Sequence, residues 1–354
     1  MYKLSTLPVT IVFILNGIGH LYYGYRLKKK FPEYHNFYDT IMLVCLWTVA
    51  GIFYPLYYLE NNPILSGYLN ICTLFICIFT PFIIFLILYY QKLKIKKNST
   101  VRDRRTVDKF IEDHDLKEMN KTHSYKTDLT RKLLHLFPAV MIIFLWVFAV
   151  NIWGTLWNQG DKWGITSQDF GRILILTVGY SGILIFAALD YVRLSPLLFK
   201  RNLFHLLPDN VSKLLGNAMK GEELYEFTKP ATLILAFATI FLFPFPIFCA
   251  AALIATIGDG AASVLGKRFG KINFPKSSEK TIIGYISGFL ASLGVIYLSL
   301  ILFVPDISII KCFIISLVGA LVFFIIDISN VKLDDNILNP IISAIFMNIL
   351  FYLL

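Results

Sequence analysis

Asp259 is an ionisable residue at the end of a long apolar run, within Gly258-Asp259-Gly260-Ala261-Ala262-Ser263 and followed by Gly266, Lys267 and Gly270. On a helix at about 100° per residue, Asp259, Ala262, Ser263, Gly266 and Gly270 share one face, with Lys267 at its margin. That face offers a carboxylate and a hydroxyl, small residues that let a ligand approach the backbone, and cations at the exit. Phosphate chemistry asks for this set: an oxygen ligand for Mg²⁺, room for the phosphates, and Lys or Arg against developing charge. Helix packing through small residues is the competing explanation. It does not account for Asp259, because a carboxylate in so apolar a segment is costly and is a functional candidate by default.

Other segments carry compatible chemistry. Lys276 and Lys280-Thr281 add cations and a hydroxyl before the next apolar run, whose helix N-terminus can hold phosphate. Arg131-Lys132 and His135 open another run, with Arg131 and His135 one helical turn apart. The pair could clamp a phosphate, His135 could move a proton, or the cations could simply mark the membrane boundary. Asp334-Asp335-Asn336 reads either as a helix cap or as a second metal-ligand set facing Asp259. Glu222-Glu223 is a weaker candidate, since paired glutamates in a loop are ordinarily solvated. Asp190 and Arg193 are spaced for a mutual ion pair.

The elements that must position these residues follow from composition. Of 354 residues, 56% are hydrophobic and only 16% charged, with a mean hydropathy of +0.65; a soluble chain carries about 25% charged residues. The expected fold class is an all-α polytopic membrane protein of about ten transmembrane helices. At about 20 apolar residues per span, the candidates are 5–24, 38–59, 64–90, 133–154, 172–192, 228–243, 246–266, 281–304, 307–328 and 337–354. Pro244 and Pro246 divide the sixth from the seventh as a tight hairpin, and the first apolar run is too long for a signal-peptide core, so it is expected to be retained.

The net charge of +10 falls in loops on alternate sides of these spans, above all in 91–132. That pattern fits positive-inside topology rather than nucleic-acid binding. It puts Arg131–His135, Glu222-Glu223, Gly258–Lys280 and Asp334–Asn336 on one face, expected to be cytosolic. The five cysteines lie in apolar runs without zinc spacing and read as buried thiols. The expected division is an N-terminal three-helix membrane region (1–97), a polar, flexible or short-helical loop (98–127) and a seven-helix catalytic region (128–354). A transporter would place its charges at the midplane of internal repeats, which are not visible here, and no Walker A loop is present.

Taken in order, the segments resemble the CTP-dependent lipid alcohol kinases: dolichol kinase, phytol kinase and the CTP-using diacylglycerol kinase. The resemblance covers roughly 128–354. It rests on Arg131-Lys132 with His135, Asp190-Tyr191-Val192-Arg193, Gly258-Asp259 with Ala261-Ala262 and Gly266, Phe269-Gly270, Lys280-Thr281 with Gly284, and Asp334-Asp335-Asn336 with Pro340. One departure is Ile283, where the family usually has an acidic residue; Glu279 could replace it from the other side. The resemblance implies transfer of the γ-phosphate of CTP, with Mg²⁺, to a lipid hydroxyl. Asp259, His135, Arg131 and Asp335 would be catalytic, with Asp259, Asp335 and Asp334 at the metal. Lys132, Gly258, Ser263, Gly266, Lys267, Lys276, Lys280, Thr281 and Asn336 would hold the phosphates, with Glu222 and Glu223 as further candidates. The expected acceptor is a dolichol-like polyisoprenol, and the expected location is the endoplasmic reticulum in a eukaryote or otherwise the plasma membrane. The alternatives are a diacylglycerol or phytol kinase, a CDP-lipid synthase, and a non-enzymatic lipid transporter or scramblase.

Overall fold

The computed structural model describes residues 4–58, 62–119, 125–199, 203–219, 221–275, 280–329, 331 and 333–354. Of the described residues 86% are helical, and none forms a strand. Its helices are α1 (Leu7–Lys30), α2 (Phe37–Phe53), α3 (Pro63–Leu74), α4 (Thr80–Lys97), α5 (Ser99–Arg104), α6 (Val107–Met119), α7 (Tyr125–Val147) and α8 (Gly160–Trp163). They continue with α9 (Ser167–Leu198), α10 (Asp209–Ala218), α11 (Lys229–Ile240), α12 (Phe245–Leu253), α13 (Asp259–Phe269), α14 (Ile282–Phe303), α15 (Ile309–Ser329) and α16 (Asp335–Leu353). Wider π-helical turns join α3 to α4 (Phe75–Phe79), extend α7 (Phe148–Leu156) and join α12 to α13 (Ile254–Gly258).

Among the described residues nine helical stretches are long and apolar enough to cross a bilayer, the shortest of them Asp335–Leu353 with 19 residues. At 1.5 Å per residue even that one reaches about 28 Å, close to the roughly 30 Å hydrocarbon core. This is an all-α, multi-pass integral membrane protein. The sequence suggested one more span at 228–243, but that segment forms only α11, 12 residues and about 18 Å long. Its helix ends at Ile240, and Pro244 and Pro246 set the start of α12 instead. Helix starts are locally encoded elsewhere too: the Asn62 side chain caps α3 through the amides of Ile64 and Leu65, with Pro63 next in line.

By packing, the chain divides into two units, one of Met1–Ser124 with Phe144–Leu235, the other of Tyr125–Ile143 with Ala236–Leu354. This grouping differs from the 1–97, 98–127 and 128–354 division suggested by sequence, because α9 packs with α1, α3 and α4. Within the first unit Tyr180 donates to Ala50 O at 2.9 Å and Thr80 to Ser181 Oγ at 2.9 Å. Its polar loops are also tied down. Arg105, 5% exposed, makes a bidentate pair with Asp209 at 2.7 and 2.8 Å and donates to Gln91 Oε1 at 2.9 Å. The 98–119 part of the long loop is therefore short-helical and anchored. The anticipated Asp190–Arg193 pair forms at 3.0 Å, and Arg193 also donates to Leu224 O at 2.8 Å and to Glu226 O.

The second unit is built on α14. The run α12–α13 packs along it, α15 packs on α14 and on α16, and α16 packs on α12 and on the Ile254–Gly258 turn. The N-terminal part of α7 belongs to the same unit.

Candidate functional site

The small residues before and along α13 prove to be a packing seam. A Cβ on Gly266 would lie 3.0 Å from Gly284 Cα, one on Gly284 would lie 2.8 Å from Ala262 O, and one on Gly288 would lie 2.8 Å from Ala262 Cβ. Gly258 faces Ser292, and Gly270 faces Thr281, in the same way. Gly258, Ala262, Gly266 and Gly270 thus bring the α12–α13 run against α14, which is the packing role that small residues serve between membrane helices. Gly258 and Gly266, expected to line a phosphate groove, face α14. Thr281 is engaged as well: it caps α14 by accepting from Gly284 N at 3.2 Å and donates to Gly266 O at 3.2 Å. Asp259 and Ser263, each one residue further round, stay half-buried at the edge of the seam.

Around Asp259 the second unit gathers charges from separate segments. Lys132 of α7 forms a short ion pair with Asp259 Oδ2, both side chains being mostly buried. Lys280, just before α14, pairs with Asp327 of α15 at 2.5 Å and stands 3.9 Å from Asp335 at the start of α16. Burial opposes the Lys280 charge, but Asp327 and Asp335 outweigh it and hold this ammonium above the usual lysine range. The charged neighbours of His135 are Lys132, Asp259, Arg131 and Asp334, and those of Asp335 include Asp259 and Asp334. His135 is buried and its Nδ1 makes no hydrogen bond.

Some expected residues take other positions. Asp334 is the cap of α16: its carboxylate accepts from Asn336 N at 3.0 Å and Asn336 Nδ2 at 2.8 Å. This is the cap reading of the motif, and it occupies Asp334 Oδ1 and the Asn336 amide nitrogen. Lys267 lies eight residues beyond Asp259, about 12 Å along the axis, and is exposed. Glu222 and Glu223 sit on a short turn, Glu222–Tyr225, of the other unit. Lys276 and Glu279 lie outside the described residues. Asp327 was not singled out from sequence, although a lone carboxylate in Phe323-Phe324-Ile325-Ile326-Asp327 is the intramembrane signal that marked Asp259.

Among the described residues no three His, Cys, Asp or Glu side chains form a ready-made metal cage. Mg²⁺ does not need one, since it is commonly held by one or two carboxylates plus substrate phosphates. Asp259 and Asp335 fit that use. They come from different segments and act on each other electrostatically, and the four carboxylates of the cluster outnumber Arg131, Lys132 and Lys280. No family model, curated protein or solved structure significantly matches the chain.

Proposed function

We propose that the chain is an integral-membrane lipid kinase that transfers the γ-phosphate of CTP to the hydroxyl of a dolichol-like polyisoprenol, on the cytosolic face. The observation that carries this reading is the convergence of Asp259, Lys132, His135, Lys280, Asp327 and Asp335, drawn from five separate segments of one helical unit. Structural ion pairs alone would not require so many charges in so apolar a bundle. The donor nucleotide and the acceptor class come from the resemblance carried by the ordered motifs.

In this reading Lys132 leaves Asp259, and Lys280 leaves Asp335, for the phosphates of the bound nucleotide. Asp259 and Asp335 would hold Mg²⁺, which would supply charge neutralisation on the phosphate oxygens. Asp327 keeps Lys280 charged and aimed. The lipid oxygen forms the new bond to the γ-phosphorus as the bond to the bridging oxygen of CDP breaks, and the hydroxyl proton leaves to His135 or to water. A loose transition state asks little of a base, so His135→Ala should cost less than Asp259→Ala. The test is Asp259→Ala and Asp335→Asn in purified protein: each abolishes lipid phosphorylation while membrane insertion and monodispersity persist. A variant that keeps more than a small fraction of wild-type turnover removes its residue from the site.

A further inference from the structure

Beyond the carboxylates, the same unit buries polar side-chain atoms that the chain does not satisfy. Ser292 Oγ on α14, and Asn339 Oδ1 and Ser343 Oγ on α16, are buried and make no hydrogen bond. Neighbouring hydroxyls in these helices behave differently, closing onto their own backbones: Thr256 on Ala252 O at 2.8 Å, Ser287 on Gly284 O at 2.9 Å, Ser299 on Val295 O at 2.8 Å and Ser316 on Cys312 O at 2.7 Å. Local back-bonding is the ordinary refuge of a hydroxyl in an apolar helix. Ser292 and Ser343 do without it.

Their placement is ordered. Asn339 follows Asp335 by four residues and Ser343 by eight, so the three run along one stripe of α16, about 6 Å deeper at each step. Ser292 faces Gly258, the residue before Asp259. Both α14 and α16 pack on the Ile254–Gly258 turn that ends at Asp259. The two helices that carry the orphaned groups, α14 and α16, thus both border the segment that leads to the carboxylate.

We propose that Asn339 and Ser292 seat the hydroxyl of a lipid alcohol, with Ser343 extending the polar stripe inward. The proposal rests on the kinase reading and names its acceptor subsite. An alcohol is one donor and an acceptor on an otherwise apolar chain. The Asn339 amide oxygen accepts its O–H, Ser292 donates to its oxygen, and the surrounding apolar helices suit its tail. A phosphate, by contrast, is matched by Lys132 and Lys280. A buried water offers the same hydrogen bonds, and the test separates the two.

The full-length protein in nanodiscs is photolabelled with a farnesol analogue bearing a diazirine beside its hydroxyl, without nucleotide, and the labelled peptides are mapped. Labelling within 282–303 or 335–353, competed by unlabelled alcohol and reduced in Ser292→Ala and Asn339→Leu, is expected. In turnover the same variants should raise the KM for alcohol by ~10-fold or more while the KM for CTP stays within ~2-fold, because the lost contact is to the acceptor alone. If Asn339→Leu is not monodisperse, Ser292→Ala and Asn339→Ser carry the comparison. Labelling elsewhere, or unchanged in folded variants, overturns the subsite and leaves buried water as the occupant. Specific labelling without phosphate transfer from any nucleotide overturns the kinase reading while the alcohol seat stands; transfer with unaltered acceptor KM in the variants does the reverse.

Discussion

The pair of Lys280 and Asp327 is unequal, and the inequality is measurable. Asp327 is 3% exposed whereas Lys280 is 41% exposed and keeps Asp335 at 3.9 Å as a second partner. Lys280→Met strands a buried carboxylate without its counter-charge, a loss that typically costs about 3–5 kcal/mol. Asp327→Asn leaves a half-solvated ammonium beside Asp335 and should cost about 1 kcal/mol or less. The double variant removes both charges and should return close to the Asp327→Asn value. At roughly 2–4 °C per kcal/mol for a unit of this size, Lys280→Met lowers the unfolding midpoint by roughly 6–20 °C. The Lys280 ammonium is held above the usual lysine range, so its contribution is fully present below pH ~10.4 and fades as pH rises through its folded value. Thermal unfolding in detergent against pH, for the four proteins of the cycle, reads all of this. In the kinase reading the double variant regains stability but not transfer, which stays ~10²-fold or more down. Equal costs for the two single variants, or a double variant as unstable as Lys280→Met, would refute the reasoning.

Three further outcomes test the packing and the first unit. Gly284→Ala puts a Cβ 2.8 Å from the Ala262 carbonyl, where backbone must yield, and should cost about 1–3 kcal/mol; Gly294→Ala, which meets nothing within 4 Å, should not, and urea titration in micelles compares them. Burial is the main cause that lowers the His35 pKa, and the ring bonds Thr40 Oγ1 at 2.9 Å, so the neutral form stabilises the fold above pH ~6.5 and that contribution is lost as pH falls through the folded value. His35→Gln should flatten this acid limb of a stability–pH profile. Arg105→Ala removes the contacts to Asp209 and Gln91, and hydrogen exchange in 99–119 should quicken while α14–α16 are unchanged.

Much of the fold was legible because apolar runs must become helices in lipid. The exception at 229–240 shows that hydropathy does not measure length once Pro244 and Pro246 have divided a run. The Gly258–Gly270 stripe was readable as small residues on one face, but whether a face meets a ligand or another helix depends on what packs there. Gly284 and Gly288 are the partners that decide it. Likewise Asp334 and Asp335 are adjacent identical residues, and only backbone geometry makes one the cap of α16 and leaves the other beside Lys280. The links of Lys132 to Asp259 and of Lys280 to Asp327 span 127 and 47 residues, and no local pattern encodes such pairings.

The most direct test of the central claim uses purified chain in nanodiscs with Mg²⁺ and CTP radiolabelled either at the γ- or the α-phosphorus, across dolichol, phytol and diacylglycerol. The γ label is expected to enter the lipid monophosphate, most readily with the polyisoprenol, while the α label stays in CDP, and Asp259→Ala is expected to abolish both products. Entry of the α label into lipid would identify a cytidylyltransferase instead, and no label in any lipid would contradict the kinase reading outright.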